Sequence, residues 1–269
     1  MATTQKQFVL MSGLPRTGST LLTALLMQNP KIYGEGASAL CQLMWDVHMS
    51  LSNNSSIQAN GRTQAEAQVL TSLPDLYYKD IKEPIIVDKS RTWIHPLNYQ
   101  LWLDNVDKNQ KVIVLVRPVQ DVLKSMAALR LKNNWVGDPF EDLLVPHTEP
   151  ICRAAEAIAC SRFIPSENFL YIDYRDLTEQ TLEVLNLIYD FFGWEYFEHD
   201  IYNIQQQNHE DDSVHGLIGM HDVRSEISVR SIDIELPKHV EEICESLNAL
   251  VYGTKMDGNW SFLNYNQTV

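Results

Sequence analysis

Residues 13–20 combine glycines, hydroxyl side chains and one arginine in a single short stretch, Gly-Leu-Pro-Arg-Thr-Gly-Ser-Thr. The stretch follows an apolar run typical of a buried strand and precedes a leucine-rich segment typical of a helix. A glycine-rich turn in this context directs backbone N–H groups and the positive end of a helix at one point. The pattern predicts a binding site for a phosphate or another compact anion.

The spacing of this loop matches the nucleotide-binding pattern G-x-x-x-x-G-K-[ST] except at one position. Ser19 stands where that pattern has its lysine, and the cation Arg16 lies inside the loop instead. The lysine of the pattern normally contacts the β- and γ-phosphates of a triphosphate. Its replacement disfavours a nucleotide kinase, which stays an alternative. It favours an anion held by amides, hydroxyls and a guanidinium.

Other polar residues follow apolar runs further along the chain. Arg117 comes directly after the run 112–116, and Ser125 lies eight residues later in a helical pattern. Lys89 follows the run 85–87, next to Asp88. Open α/β sheets bind ligands at the carboxyl ends of their strands, where these residues are expected. Asp88 could serve as a metal ligand of a nucleotidase, but an ion pair with a neighbouring cation is the favoured interpretation.

These segments resemble the sulfotransferases that use 3′-phosphoadenosine 5′-phosphosulfate (PAPS), most closely the bacterial and tyrosylprotein-type members. Pro-Arg-Thr-Gly-Ser-Thr-Leu-Leu is similar to the family's 5′-phosphosulfate loop. Arg117 and Ser125 resemble its 3′-phosphate motif, although the usual Arg-Asp-Pro is Arg-Pro-Val here. The segment 171–177 resembles the family's Tyr-Glu-x-Leu segment, which places Tyr174 near the adenine.

The resemblance implies PAPS as the sulfuryl donor, 3′-phosphoadenosine 5′-phosphate (PAP) as the product, and no metal. It also implies that a C-terminal segment ending in Arg224 covers the 3′-phosphate. The residues expected to bind the donor are Pro15, Arg16, Thr17, Gly18, Ser19, Thr20, Arg117, Ser125, Tyr174 and Arg224. Catalysis by in-line transfer then needs cations at the leaving group, for which Arg16 and Lys89 are the candidates.

The acceptor must also lose a proton, so the reaction needs a general base. Glu35 is the first candidate, because it lies between two glycines soon after the helix that follows the phosphate loop. The resemblance to the tyrosylprotein branch supports a glutamate at about this distance. Histidines are the alternative bases, with His95 the best placed of them. The candidates are His48, His95, His215 and His221.

The elements that must position these residues alternate between strands and helices. Strands are expected at 8–11, 85–87, 112–116 and 169–172, with helical patterns between them. This order predicts an α/β, three-layer, P-loop-like fold with a central parallel sheet flanked by helices. Residues 132–150 and 205–234 are polar and rich in turn residues, and the second is expected to form a C-terminal lid. One domain over 1–269 is expected.

Composition narrows the class of protein further. Residues 1–134 carry a balance of +4 and residues 135–269 a balance of −18, and this acidity disfavours nucleic acid as a partner. The four cysteines lack metal-ligand spacing, and we expect them to be reduced and mostly buried. No secretory signal or membrane span is expected, which favours a cytoplasmic protein acting on a small-molecule or peptide acceptor. An inactive PAP- or PAPS-binding module is a further alternative.

Overall fold

A computed structural model describes residues 6–253 except 141, 165 and 228–231. Its strands are β1 (Gln7–Gly13), β2 (Ile32–Gly34), β3 (Ile85–Lys89), β4 (Val112–Val116) and β5 (Phe169–Asp173). Its helices are α1 (Ser19–Leu26), α2 (Leu40–Ser52), α3 (Ser55–Ala59), α4 (Thr63–Tyr77), α5 (Pro96–Asn105), α6 (Val119–Lys132), α7 (Cys152–Ser161), α8 (Tyr174–Glu179), α9 (Thr181–Phe192) and α10 (Lys238–Tyr252).

The strands form one parallel sheet in the order β2-β3-β1-β4-β5. The expected strands are confirmed, and β1 runs two residues beyond its expected end, to Gly13. Strand β2 was not expected, because three residues at a sheet edge are too few to show a pattern. The phosphate loop leaves the central strand β1, so Lys89 and Arg117 lie at the ends of the two strands beside it.

Both faces of the sheet are covered, which explains the continuous apolar runs of its strands. Leu10 and Val112 pack into one apolar cluster with α2, α5, α6, α7 and α10. Val9 and Ile113 point the other way, into a second cluster with α1 and α9. The alternation along each strand therefore divides the core into two halves, as the predicted three-layer fold requires.

The expected loops also agree with the structure. No helix occurs between 133 and 150 in the described part of that segment, and one short 3₁₀ turn, Asp212–His215, interrupts the polar stretch that follows 205. Gly193 ends α9 in the left-handed conformation, and α10 begins directly after Pro237. Among the described residues, none of the helices combines the length and apolar character that a bilayer-spanning helix needs. The cysteines are free, and all but Cys160 are buried.

Gly13 ends β1 where the chain turns into the phosphate loop. Its φ of 134° is one that residues with a side chain rarely adopt. A Cβ at this position would lie 2.0 Å from the carbonyl oxygen of Leu115 on β4. Only a glycine therefore lets the central strand approach its neighbour and turn at the same residue.

Gly13→Ala is predicted to lower the free energy of unfolding by more than about 3 kcal/mol, because backbone of β4 cannot move aside. Urea denaturation followed by circular dichroism measures this. Gly61→Ala is the matched control, since Gly61 also has positive φ but a methyl group there would meet no atom within 4 Å. It should cost about 1 kcal/mol. Equal losses in the two variants would contradict the steric explanation.

Candidate functional site

A cavity of about 800 Å³ lies at the carboxyl edge of the sheet. Its floor comes from the phosphate loop and the ends of β3 and β4. Its roof comes from residues 204–225, here called the covering loop. The residues expected to bind the donor that line the cavity are Pro15, Arg16, Gly18, Ser19, Thr20, Arg117, Ser125, Tyr174 and Arg224. The expected catalytic cation Lys89 lines it as well.

The phosphate loop is held in shape by its own backbone and by one hydroxyl. Arg16 and Gly18 both have positive φ, and Gly18 stands at the N-cap of α1 without a side-chain cap. The buried Thr17 hydroxyl donates to the carbonyl oxygen of Leu14 over 2.8 Å. Thr17 can therefore contribute its backbone N–H to an anion, while its hydroxyl stabilises the turn. The uncapped first turn of α1 suits an anionic ligand.

Arg16 connects the phosphate loop with the other expected residues. Its Nε donates to Ser125 Oγ over 3.2 Å, and its Nη1 donates to the carbonyl oxygen of Met220 in the covering loop. Burial lowers the pKa of Arg16, and the positive charge of Arg117 adds to this, but a guanidinium stays charged in proteins. The sequence-distant residues Arg16 and Ser125 thus meet in one place.

Arg117 lies between the phosphate loop and Tyr174. Its Nη1 donates to the carbonyl oxygen of Arg16 over 2.9 Å, and its guanidinium carbon lies 4.1 Å from the centre of the Tyr174 ring. Its Nε is buried and has no hydrogen-bond partner among the described residues. A buried guanidinium with an unused donor is suited to an anionic ligand.

Lys89 lies in the cavity wall at the end of β3. Within the described part of the chain, its ammonium makes no hydrogen bond. Burial, together with the charges of Arg91 and Arg16, lowers the pKa of Lys89 to about 8, and the charges of Glu210 and Glu149 partly oppose this. The side chain is therefore mainly protonated at neutral pH and available to an anion.

Glu35 follows β2 and does not line the cavity among the described residues. Its Oε1 accepts a hydrogen bond of 2.9 Å from the hydroxyl of Tyr33. Burial raises the pKa of Glu35, and the charges of Asp88 and Glu210 act in the same direction. The neighbouring Gly36 lies against Glu210, because a Cβ there would be 2.3 Å from Glu210 Oε1. The raised basicity is compatible with a general base, and that role stays a prediction.

Of the candidate histidines, His221 lines the cavity, whereas His48, His95 and His215 do not do so in the described structure. The Nδ1 atom of His221 lies 2.6 Å from Asp212 Oδ1 and 3.0 Å from Glu210 Oε2. Burial tends to raise the pKa of Asp212, but hydrogen bonds from His221 outweigh it and lower that pKa. These contacts connect the first and second halves of the covering loop. The expectation that the site needs no metal stays a prediction.

The expectation of an ion pair for Asp88 is wrong. Its carboxylate is fully buried and accepts three hydrogen bonds of 2.7 Å, from the hydroxyls of Ser38 and Tyr78 and from Trp93 Nε1. Burial raises the pKa of Asp88, and the hydrogen bonds from Ser38, Tyr78 and Trp93 oppose the rise only in part. Both oxygens are engaged, so Asp88 holds together the segments around Lys89 instead of facing the cavity.

Asp88→Ala is predicted to lower the free energy of unfolding by about 3 kcal/mol, because it leaves three buried donors without an acceptor. Chemical denaturation measures the loss. The control is Asp104→Ala, which removes an exposed carboxylate bonded to a side chain of its own helix, and should change stability by less than about 0.5 kcal/mol. A loss of under about 1 kcal/mol for Asp88→Ala would show that its donors find other partners.

Several residues of the site were not predicted. Arg91 lines the cavity and pairs with Glu149 over 3.1 Å. Its position two residues after Lys89 could have revealed it, because residues two apart share one side of an extended chain. Glu149, Glu210 and Asp212 carry no such signal, since they reach the site from loops.

The fold and the site together define an α/β protein with an anion-binding loop after its central strand and cations at the neighbouring strand ends. A model of the sulfotransferase family, Sulfotransfer_3, matches residues 9–198, so the chain belongs to the sulfotransferase family. It is a sulfotransferase enzyme, as the resemblance of its motifs implied.

Solved structures support the fold. The chain is 18% identical to the sulfotransferase domain from the curacin biosynthetic pathway, with a TM-score of 0.52 over 91% of this chain and 98% of that one. It is 14% identical to a sulfotransferase from Alicyclobacillus acidocaldarius, with a TM-score of 0.53 over 92% and 94% of the two chains. A comparison with curated protein sequences gives no match. The predicted fold class is confirmed.

Proposed function

We propose that this sulfotransferase transfers a sulfuryl group from PAPS to a hydroxyl or amine of a small-molecule or peptide acceptor. The observation that carries the choice of donor is the convergence of Arg16, Lys89 and Arg117 on one cavity above the phosphate loop. PAPS carries a 3′-phosphate and a 5′-phosphosulfate, and the three cations come from three different segments: the phosphate loop and the ends of β3 and β4. Cytoplasmic residence and the absence of nucleic-acid and membrane partners stay predictions.

The residues present fit such a nucleotide. The cavity of about 800 Å³ lies within the usual range of small-ligand sites. The buried Nε of Arg117, which has no partner in the part of the chain that the structure describes, can donate to a 3′-phosphate, and Ser125 lines the same cavity. The N–H groups at the start of α1 suit the 5′-phosphosulfate, and the Tyr174 ring offers a surface for the adenine. When bound, PAPS supplies a sulfuryl group attached to a good leaving group.

In this mechanism the chain mainly positions reactants and stabilises charge. Arg16 and Lys89 face the place where negative charge grows on the leaving phosphate oxygens, and a low-dielectric site strengthens their effect. Glu35 accepts the acceptor's proton at the carboxylate oxygen that Tyr33 does not bind. Burial favours that proton transfer, because it raises the basicity of the carboxylate.

Calorimetry of PAP binding tests the donor site without knowledge of the acceptor. We expect tight PAP binding that needs no Mg²⁺, and weak or absent binding of ATP with Mg²⁺. Arg117→Ala should weaken PAP binding about 30- to 100-fold, as expected for loss of a charge-assisted contact. Lys124→Ala removes a positive charge from α6, the helix that follows Arg117, at a position outside the cavity, and should leave affinity unchanged. Mg²⁺-dependent ATP binding with no PAP binding would overturn the proposal and favour a kinase.

The pH dependence of PAP binding tests the role of Lys89. Since burial lowers the pKa of Lys89 to about 8, the ammonium loses its proton, and its attraction for the ligand, as pH rises above that value. We expect affinity to be level from pH 7 to 8 and then to fall by up to about tenfold per pH unit. Lys89→Arg should abolish the fall, because arginine stays charged. The same fall in wild type and variant would assign it to another group.

Transfer activity separates an enzyme from a module that merely binds the nucleotide. Release of PAP from PAPS, with 4-nitrophenol and amino alcohols as acceptor probes, gives the rate. Lys89→Ala is expected to lower that rate about 100-fold or more.

A further inference from the structure

Helix α6 begins directly after Arg117 and lacks a cap of its own. Its N-cap residue is Pro118, whose side chain has no hydrogen-bond acceptor. The missing acceptor comes from α10, because Asn248 Oδ1 accepts a 2.8 Å hydrogen bond from the backbone N–H of Val119. Asn248 Nδ2 donates to Gln120 Oε1 over 2.7 Å. A residue about 130 positions away in the sequence therefore caps the turn that carries Arg117.

Helix α10 also holds a second turn of the site, the one between β5 and α8. The hydroxyl of Tyr252 donates to Asp173 Oδ2 over 2.6 Å. The other oxygen of Asp173 caps α8, since it accepts a 2.8 Å hydrogen bond from the N–H of Arg175. Asp173 is buried at the end of β5, and Tyr174 is the first residue of α8. Tyr252 therefore holds the Asp173 carboxylate in place, and that carboxylate in turn caps the start of α8.

The two turns meet at the donor site. The Arg117 guanidinium from one turn lies 4.1 Å from the centre of the Tyr174 ring from the other. Asn248 and Tyr252 are four residues apart, so they lie on one face of α10 and reach the two turns together. Other residues of α10, such as Leu247 and Val251, are buried in the apolar core instead.

The charges around Asp173 agree with this arrangement. Burial raises the pKa of Asp173 to about 6, while the hydrogen bond from Tyr252 and the positive charge of Arg117 oppose the rise. Burial, together with the charge of Asp173, raises the pKa of the Tyr252 hydroxyl, which keeps it protonated as a donor. The Asp173 carboxylate is thus ionised at neutral pH. It accepts one hydrogen bond from the Tyr252 hydroxyl and one from the N–H of Arg175.

We propose that Asn248 and Tyr252 of α10 are positioning residues for the donor. Asn248 sets the placement of Arg117 through the turn that follows it, and Tyr252 does so through the Tyr174 ring against the guanidinium, so both set the preference for a 3′-phosphate. This inference rests on the proposed function. It adds to the site helix α10, none of whose residues lines the cavity.

The test compares PAP with adenosine 5′-monophosphate, which lacks the 3′-phosphate. Calorimetry gives the ratio of their dissociation constants for wild type, Asn248→Ala and Tyr252→Phe. We expect each variant to lower the preference for PAP about fivefold, the size of effect typical of a lost helix cap. Their binding of the monophosphate should change much less than their binding of PAP.

Leu247→Ala is the matched control, because it weakens packing of the same helix without touching either turn. It should lower the midpoint of thermal unfolding at least as much as Asn248→Ala, yet keep the wild-type preference. Tyr252→Phe, which removes one oxygen, stands alone as the test if Asn248→Ala does not fold.

An unchanged preference in the folded variants would overturn the inference and leave the donor assignment intact. An equal loss in Leu247→Ala would also overturn it, since the loss would then follow helix stability. Failure of the wild-type protein to bind PAP would instead overturn the proposed function, and the inference with it.

Discussion

The gathering of like charges at the carboxyl edge of the sheet is the constraint on which the rest of the site depends. Arg16, Lys89, Arg91 and Arg117 all line one cavity. Burial and the positive charges of their neighbours oppose the charged state of Arg16 and of Lys89. Such a cluster is unfavourable in an isolated protein unless carboxylates offset it. An anionic ligand relieves the same repulsion, so the free energy lost in building the site is recovered when the ligand binds.

The carboxylates that offset these charges come from the second half of the chain. Glu149 pairs with Arg91, and Glu210 lies close enough to raise the pKa of Lys89. Asp212 and Asp222 act in the same way on Arg16. The covering loop therefore covers the cavity and also supplies negative charge that partly balances the cations below it. This arrangement partly explains the uneven division of charge in the sequence, because the cations of the site lie in its first half and the carboxylates that offset them lie in its second half.

The sequence predicted the site well where a functional residue lies close in the chain to the strand or helix that positions it. The phosphate loop, Arg117 and Ser125 each sit within a few residues of the strand or helix that positions them, so spacing and the resemblance of their motifs together predicted where they lie. It failed for Asp88, whose three donors come from separate segments. It also missed β2, Glu210 and the capping residue Asn248, because their roles arise from contacts between distant parts of the chain, which no local pattern records.

The replacement of the loop lysine by Ser19 has a consistent structural explanation. A triphosphate site needs that lysine and an acidic residue free to bind a magnesium ion at a strand end. Here both oxygens of Asp88 are bound by neutral donors, and the cations stand at the ends of β3 and β4. Positive charge is thus spread along the sheet edge instead of concentrated on the loop. That distribution matches a donor that carries anionic groups on both the 3′ and the 5′ position of one ribose, and it explains how a phosphate-loop scaffold can serve sulfuryl transfer.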